Sequence, residues 1–141
     1  IVPSDLVRPI QKLAQNLFIA PPSISQYAAL NAFDEKEELA KMRALYKERR
    51  DFLIPRLNSL GFVISRIPDG AFYIYAGIEG FGMDSMTFVG RALEEAGVAI
   101  TPGYDFGAFG ASSHVRFSYA DRIENLKEGC KRLEVWLKGL T

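Results

Sequence analysis

At Gly61 the apolar pattern of the chain changes period, and that change limits the architecture more than any other feature. Upstream, Leu39, Met42, Tyr46, Leu53, Leu57 and Leu60 predict the apolar stripe of one long helix, opened by an Asp34–Glu37 capping pair. Arg49 falls in the gap of that stripe. Pro55 predicts a kink or interruption, because an interior proline loses a hydrogen bond and crowds the preceding turn. Gly61 is the stop signal. Downstream, residues 62–67 are β-branched and aromatic, Pro68-Asp69-Gly70 is a turn tripeptide, and residues 71–76 contain Phe-Tyr-Ile-Tyr. Together they predict an antiparallel hairpin.

Asp84 is placed to cap a helix carrying Phe88, Val89, Ala92, Leu93 and Ala96, which Gly97 closes. Residues 98–100 predict a short strand running into Thr101-Pro102-Gly103. A loop with Phe106-Gly107 and Phe109-Gly110 leads to a strand over 114–120. An Asp121–Glu124 capping pair then opens a last helix with Ile123, Leu126, Cys130, Leu133 and Leu137 on one face. Ahead of this body, Leu6, Ile10, Leu13 and Leu17 mark a helix after a Ser4 cap, which Pro9 tolerates only if the helix effectively begins near it. Ala20-Pro21-Pro22 breaks the chain, and Ser23 with Gln26 forms a further capping pair before an alanine-rich helix over 26–33. The expected class is α/β, with an α+β domain from about Asp34 whose helices pack on a small, mostly antiparallel or mixed sheet.

Composition removes several functions. The 141 residues carry 17 Lys and Arg against 17 Asp and Glu, so no basic surface for nucleic acid or anionic membrane is expected. No apolar run approaches the roughly 20 residues of a membrane helix. With one cysteine there is no intrachain disulfide framework, so a reducing, cytoplasmic setting is expected. His114 is the only histidine and Cys130 the only cysteine, which rules out a multi-ligand His/Cys metal site. Glycine-rich phosphate loops and nucleophile elbows are absent. Cys130 reads as a core residue, and His114 as structural or solvent-facing. The chain starts at Ile1, which suggests a piece of a longer protein.

The informative strand is His114-Val-Arg-Phe-Ser-Tyr-Ala120. Alternation sends Val115, Phe117 and Tyr119 to one face, and Arg116, Ser118 and Ala120 to the other. The small neighbours leave room beside Arg116, whose planar fork of donors matches a carboxylate. Residue pattern alone leaves two readings open: a carboxylate clamp, or a surface arginine on a solvated strand face.

The order of motifs goes further. Pro68-Asp-Gly-Ala-Phe-Tyr73, Glu94-Glu-Ala-Gly-Val-Ala-Ile-Thr-Pro-Gly103, Phe106-Gly107 and the Arg116 strand follow one another as in class I/II aminotransferases. The opening Ile1-Val-Pro-Ser-Asp-Leu6, Ser25-Gln-Tyr-Ala-Ala-Leu30 and Arg49-Arg-Asp51 also resemble that family. These are pyridoxal-phosphate enzymes of fold type I, with aspartate aminotransferase as type member. The resemblance spans essentially the whole chain and implies its C-terminal portion, with 1–33 the tail of the large cofactor domain and 34–141 the small domain. It implies transfer of an amino group between an amino acid and a 2-oxo acid, in a parent that is a homodimer. Arg116 would grip the substrate α-carboxylate. Phe72 would lie near the pocket wall, with Phe106 a weaker candidate on a nearby loop. The alternative for Phe72 and Tyr73 is a hairpin that buries at least one of them in the sheet core.

The family's Schiff-base lysine motif is missing. Lys12, Lys36, Lys41, Lys47, Lys127, Lys131 and Lys138 all lie on predicted helices without its context. The chain alone is therefore expected neither to bind pyridoxal 5'-phosphate covalently nor to transaminate. Two other classes remain open at this point: the aminotransferase-like effector domain of a pyridoxal-phosphate-dependent transcription regulator, and a stand-alone ligand-binding module.

Overall fold

The long apolar stripe folds as one continuous helix in the computed structural model, which describes residues 2–140. The chain parts into two compact units, Ile1–Lys41 and Met42–Thr141. The first contains α1 (Ser4–Leu17), α2 (Ser23–Ala32) and the start of α3 (Lys36–Ser59). Neither α1 nor α2 has a buried residue. Of the expected apolar positions of α1, Leu13 is 60% and Leu17 69% exposed.

The expected caps are replaced in this unit. Ser4 and Ser23 are the first helical residues, and Pro3 and Pro22 hold the N-cap positions without a side-chain bond. Proline's fixed φ delivers the extended lead-in that a capping serine would otherwise adopt. Gln26 does reach back, but its Nε2 donates to the Pro21 carbonyl at 2.8 Å. Pro9 lies inside α1, so the helix starts before the proline and not at it. Nor does Pro55 end α3, which continues to Ser59. Gly61 then turns the chain in the left-handed region, with φ +96°.

In the second unit a three-stranded sheet, β1 (Tyr73–Gly77), β2 (Thr101–Pro102) and β3 (His114–Ser118), has the order β1-β3-β2 and is antiparallel throughout. The expected hairpin does not form. Residues 62–67 supply only the isolated bridge Val63↔Gly77, and the long partner of β1 is β3. Phe62 instead buries its ring against Phe81 and Phe117, each 4.9 Å between centroids, and Phe88 at 5.7 Å. The strand expected at 98–100 lies further along, at Thr101–Pro102.

Two helices complete this unit, α4 (Ser85–Ala96) and α5 (Ile123–Lys138). Asp84 caps α4 as expected, accepting from the Met86 and Thr87 amides, and Gly97 ends it in the left-handed region. Leu93 belongs to no buried face: α4 turns Phe88 and Ala92 inward. The Asp121–Glu124 pair does not form a capping box. Arg122 is the N-cap, while Asp121 accepts from the Arg122 amide at 2.6 Å and from Asn125. The core joins Leu53 and Leu57 of α3, Ile74 of β1, Val115 and Phe117 of β3, and Cys130, Leu133, Trp136 and Leu137 of α5. Each large side chain buried there contributes about 1.5–3 kcal/mol. That core fixes one face of β3 and so decides which residues the other face presents.

Candidate functional site

Strand alternation behaves as the sequence predicts: Val115, Phe117 and Tyr119 are buried, and Arg116 is half-buried on the opposite face. The register places Tyr75 of β1 and Thr101 of β2 directly across from Arg116. Arg116 Nη2 donates to Thr101 Oγ1 at 3.2 Å. The guanidinium carbon lies 4.7 Å from the Phe106 ring centroid and 5.5 Å from that of Tyr73, two cation–π contacts. Arg116 Nε is shut off from solvent without an acceptor. Among the described residues no carboxylate pairs with this guanidinium, and it is the only Lys, Arg, Asp or Glu side chain on the three strands.

Most other arginines of this unit are engaged. Arg91 grips Glu95 through Nε at 2.6 Å and Nη2 at 3.0 Å, Arg132 meets Glu128, and Arg50 meets Asp51 and the Pro68 carbonyl. Arg49 shares the unpartnered Nε and lies over Tyr46. Its charge already has a counterpart in Asp121. The Arg122 amide and then Asn125 hold that carboxyl below its ordinary range, and Arg49 adds to the effect. Arg116 therefore stands apart as a half-buried cation that no acidic group of the chain neutralises.

Neighbouring loops keep the rings in place. At Gly103 a Cβ would overlap the carbonyl oxygens of Ala111 and His114 and come within 2.8 Å of Tyr75 Oη, so only glycine fits. This close approach sets the start of the Phe106 turn. Phe106 meets Tyr75 edge-on at 6.2 Å, and Tyr75 stacks on His114 at 4.9 Å. His114 Nδ1 lies 3.0 Å from both the Gly110 carbonyl and Ser113 Oγ, the structural role its lone occurrence suggested. On the other flank, Tyr119 Oη donates to the Gly70 and Ala71 carbonyls at 3.3 Å each, and its amide to the Phe72 carbonyl at 2.7 Å. Burial pushes the Tyr119 phenol up.

The structure thus brings Phe106 against Arg116. Phe72 stands one ring further out, edge-on to Tyr73 at 5.6 Å. Neither Phe72 (44% exposed) nor Tyr73 (38%) is buried, contrary to the expected burial of at least one in the sheet core. With no hairpin strand to cover them, Ile74 alone of this run turns inward. Thr101 and Tyr73 were missed as neighbours of Arg116. The sequence signal for them is the cross-strand register, which the two-residue β2 does not announce.

A cleft of about 630 Å³ opens elsewhere in this unit, among α3, α5 and residues 97–99. Its floor is core, including Leu57, Phe117 and Cys130, and its Glu128 and Arg132 pair with each other at 2.9 Å. Arg116 does not line it. Burial pushes the Cys130 thiol up, so it stays protonated and inert. Among the described residues no group of acidic, histidine or cysteine side chains could hold a metal ion, and no helix is long and apolar enough to cross a membrane.

All seven lysines sit on helices with exposed side chains, and Lys41, Lys47 and Lys138 have carboxylate partners. None lies on the strands or the loop that frame Arg116. The residues present therefore do not fit pyridoxal phosphate: they provide no amine beside Arg116 to bond its aldehyde.

Comparison with known proteins places this geometry. The family model for aminotransferase class I and II matches residues 1–133. The chain is 40% identical over 136 residues to a (5-formylfuran-3-yl)methyl phosphate transaminase of Methanocaldococcus jannaschii, covering 94% of the chain and 35% of that relative. It is 37% identical to a valine–pyruvate aminotransferase of Mycobacterium tuberculosis, covering 97% of the chain and 36% of the relative. The crystal structure of an aromatic aminotransferase from Pyrococcus horikoshii superposes with a TM-score of 0.85 at 34% identity, covering 99% of this chain and 38% of that one. The chain spans about a third of the length of the curated relatives it matches.

Proposed function

We propose a function from one premise: the chain belongs to the aminotransferase class I and II family. It forms the C-terminal part of an enzyme that passes an amino group between an amino acid and a 2-oxo acid. Residues 34–141 are the small domain, and 1–33 are the tail of the large one. The lack of any buried residue in α1 and α2 supports this reading, because their apolar side chains need a covering surface. The parent is a cytoplasmic homodimer, and its pyridoxal phosphate is held by residues outside this chain.

Arg116 carries the proposal. A half-buried guanidinium with free N–H groups and no internal carboxylate is a receptor for an external one. The Thr101 hydroxyl limits its rotation, and Phe106 and Tyr73 flank it with apolar surface that strengthens a charge-assisted bond by excluding water. Gripping the α-carboxylate at two points fixes the direction of the substrate α-carbon, a positioning contribution.

The test is Arg116→Lys in the longer enzyme. A lysine keeps the charge but not the fork, so at least a tenfold loss of kcat/KM for amino acids is expected, with cofactor absorbance unchanged. Charge-assisted hydrogen bonds are worth roughly 1.5–3 kcal/mol each, enough for that factor. Unchanged kinetics would return Arg116 to a solvated strand face. The 141-residue chain mixed with pyridoxal phosphate and an amino donor is expected to stay at the free-cofactor rate.

A further inference from the structure

The face around Arg116 is unlike a site for a second negative charge. Its strand residues are Tyr73, Tyr75, Thr101, His114, Arg116 and Ser118, with Phe106 folded over the guanidinium from the adjoining loop. The rings form two edge-to-face pairs, Phe72–Tyr73 at 5.6 Å and Tyr75–Phe106 at 6.2 Å, and Arg116 bridges them through Tyr73 and Phe106. Phe106 is 49% exposed, and Phe72, Tyr73 and Tyr75 also remain open to solvent. Exposed rings gathered in one patch mark a surface that something apolar covers.

We infer that this face selects substrates with one carboxylate and an aromatic side chain, the carboxylate on Arg116 and the ring against Phe106 and Tyr73. This deepens the proposed function and rests on Arg116 gripping a carboxylate. Two physical arguments favour an aromatic side chain over an acidic one. A second carboxylate would meet ring faces, whose quadrupole is negative, and would lose water without gaining a cation. A ring would extend the edge-to-face series at the usual 4.5–7 Å spacing and cover apolar area now exposed. The site is also ready made: the close approach at Gly103 fixes the turn that carries Phe106, so little ordering is required on binding.

The experiment is an NMR titration of the 141-residue chain with propanoate, 3-phenylpropanoate and glutarate, following the Arg116 guanidinium and the Phe106 ring. 3-Phenylpropanoate is expected to bind about tenfold more tightly than propanoate and more tightly than glutarate, the worth of one ring contact with its covered area. Phe106→Leu should lower the phenylpropanoate affinity severalfold and leave propanoate unchanged. Amide dispersion in the same spectra reports whether the variant is folded, and Tyr73→Leu is the second variant. If propanoate and phenylpropanoate bind equally and Arg116→Lys abolishes both, the carboxylate grip stands and the aromatic preference falls. Glutarate binding as tightly as phenylpropanoate also overturns it. If no carboxylate moves the Arg116 signals, the proposed function of Arg116 itself fails.

Discussion

Gly103→Ala is the substitution in which fold and site are most tightly linked. The added Cβ would sit 2.6 Å from the His114 carbonyl oxygen, 2.8 Å from Tyr75 Oη, and closer still to the Ala111 carbonyl oxygen. Two of these partners are backbone and cannot rotate away. Either β2 separates from β3 or the 111–114 segment shifts, and each outcome disturbs a sheet of only three strands. Overpacking of this kind costs about 1–3 kcal/mol at one contact, so about 3 kcal/mol or more is expected where three converge. For a folded unit of about 100 residues that lowers Tm by about 12 °C or more. The sole tryptophan, Trp136, is buried in the core and supplies the fluorescence signal for thermal and urea denaturation. Gly129→Ala is the internal control. It lies inside α5 with nothing within 4 Å of its Cβ, so the change should stabilise by about 0.5–1 kcal/mol. If Gly103→Ala melts with the parent chain while Gly129→Ala behaves as expected, the close approach is not present. The placement of Phe106 over Arg116 would then lose its cause.

Three further outcomes are expected. Ala71 holds φ +62°, a conformation that costs a side chain about 1–2 kcal/mol, so Ala71→Gly should raise stability in the same melts; a loss would show that no strain is stored there. Amides of Thr87 and Met86, with the Thr87 hydroxyl, hold the Asp84 carboxyl below its ordinary value of 3.8, led by the Thr87 amide. A depressed folded pKa means stability present above about 3.8 and lost as pH falls through the folded value. Asp84→Asn should therefore flatten the acid limb of the stability profile, and an unaltered slope would contradict this origin. Cys130 should resist a thiol reagent in the native chain and react at once in urea, because burial both covers the thiol and keeps it protonated. Rapid native labelling would contradict its place in the core.

Local chemistry was readable where one signal acted without competition. Asp84 and Gly97 bound α4 as expected because acceptor and left-handed glycine both lie within a turn of the helix they serve. The other capping pairs failed for local reasons of a different kind. Proline already supplied the lead-in at α1 and α2, and Asp121 closed on its own neighbour Arg122. The expected hairpin failed because pattern reports strand character but not partner: β3, about 40 residues away, satisfies β1, and Phe62 gains more by joining the ring cluster than by pairing. Arg116 was legible through period-two alternation beside buried Val115 and Phe117. Its surroundings were not, since Thr101, Tyr73 and Phe106 converge through register and a glycine contact, both of which are long-range.

The claim that Arg116 is an unpaired receptor for a carboxylate has a direct test. Propanoate is titrated into the 141-residue chain while the Arg116 guanidinium resonances are followed, alone and in Arg116→Lys. The account predicts a saturable shift at Arg116, weakened by salt, and no saturable carboxylate binding at this face in the lysine variant. A guanidinium that propanoate does not perturb, or binding that survives Arg116→Lys, would contradict it.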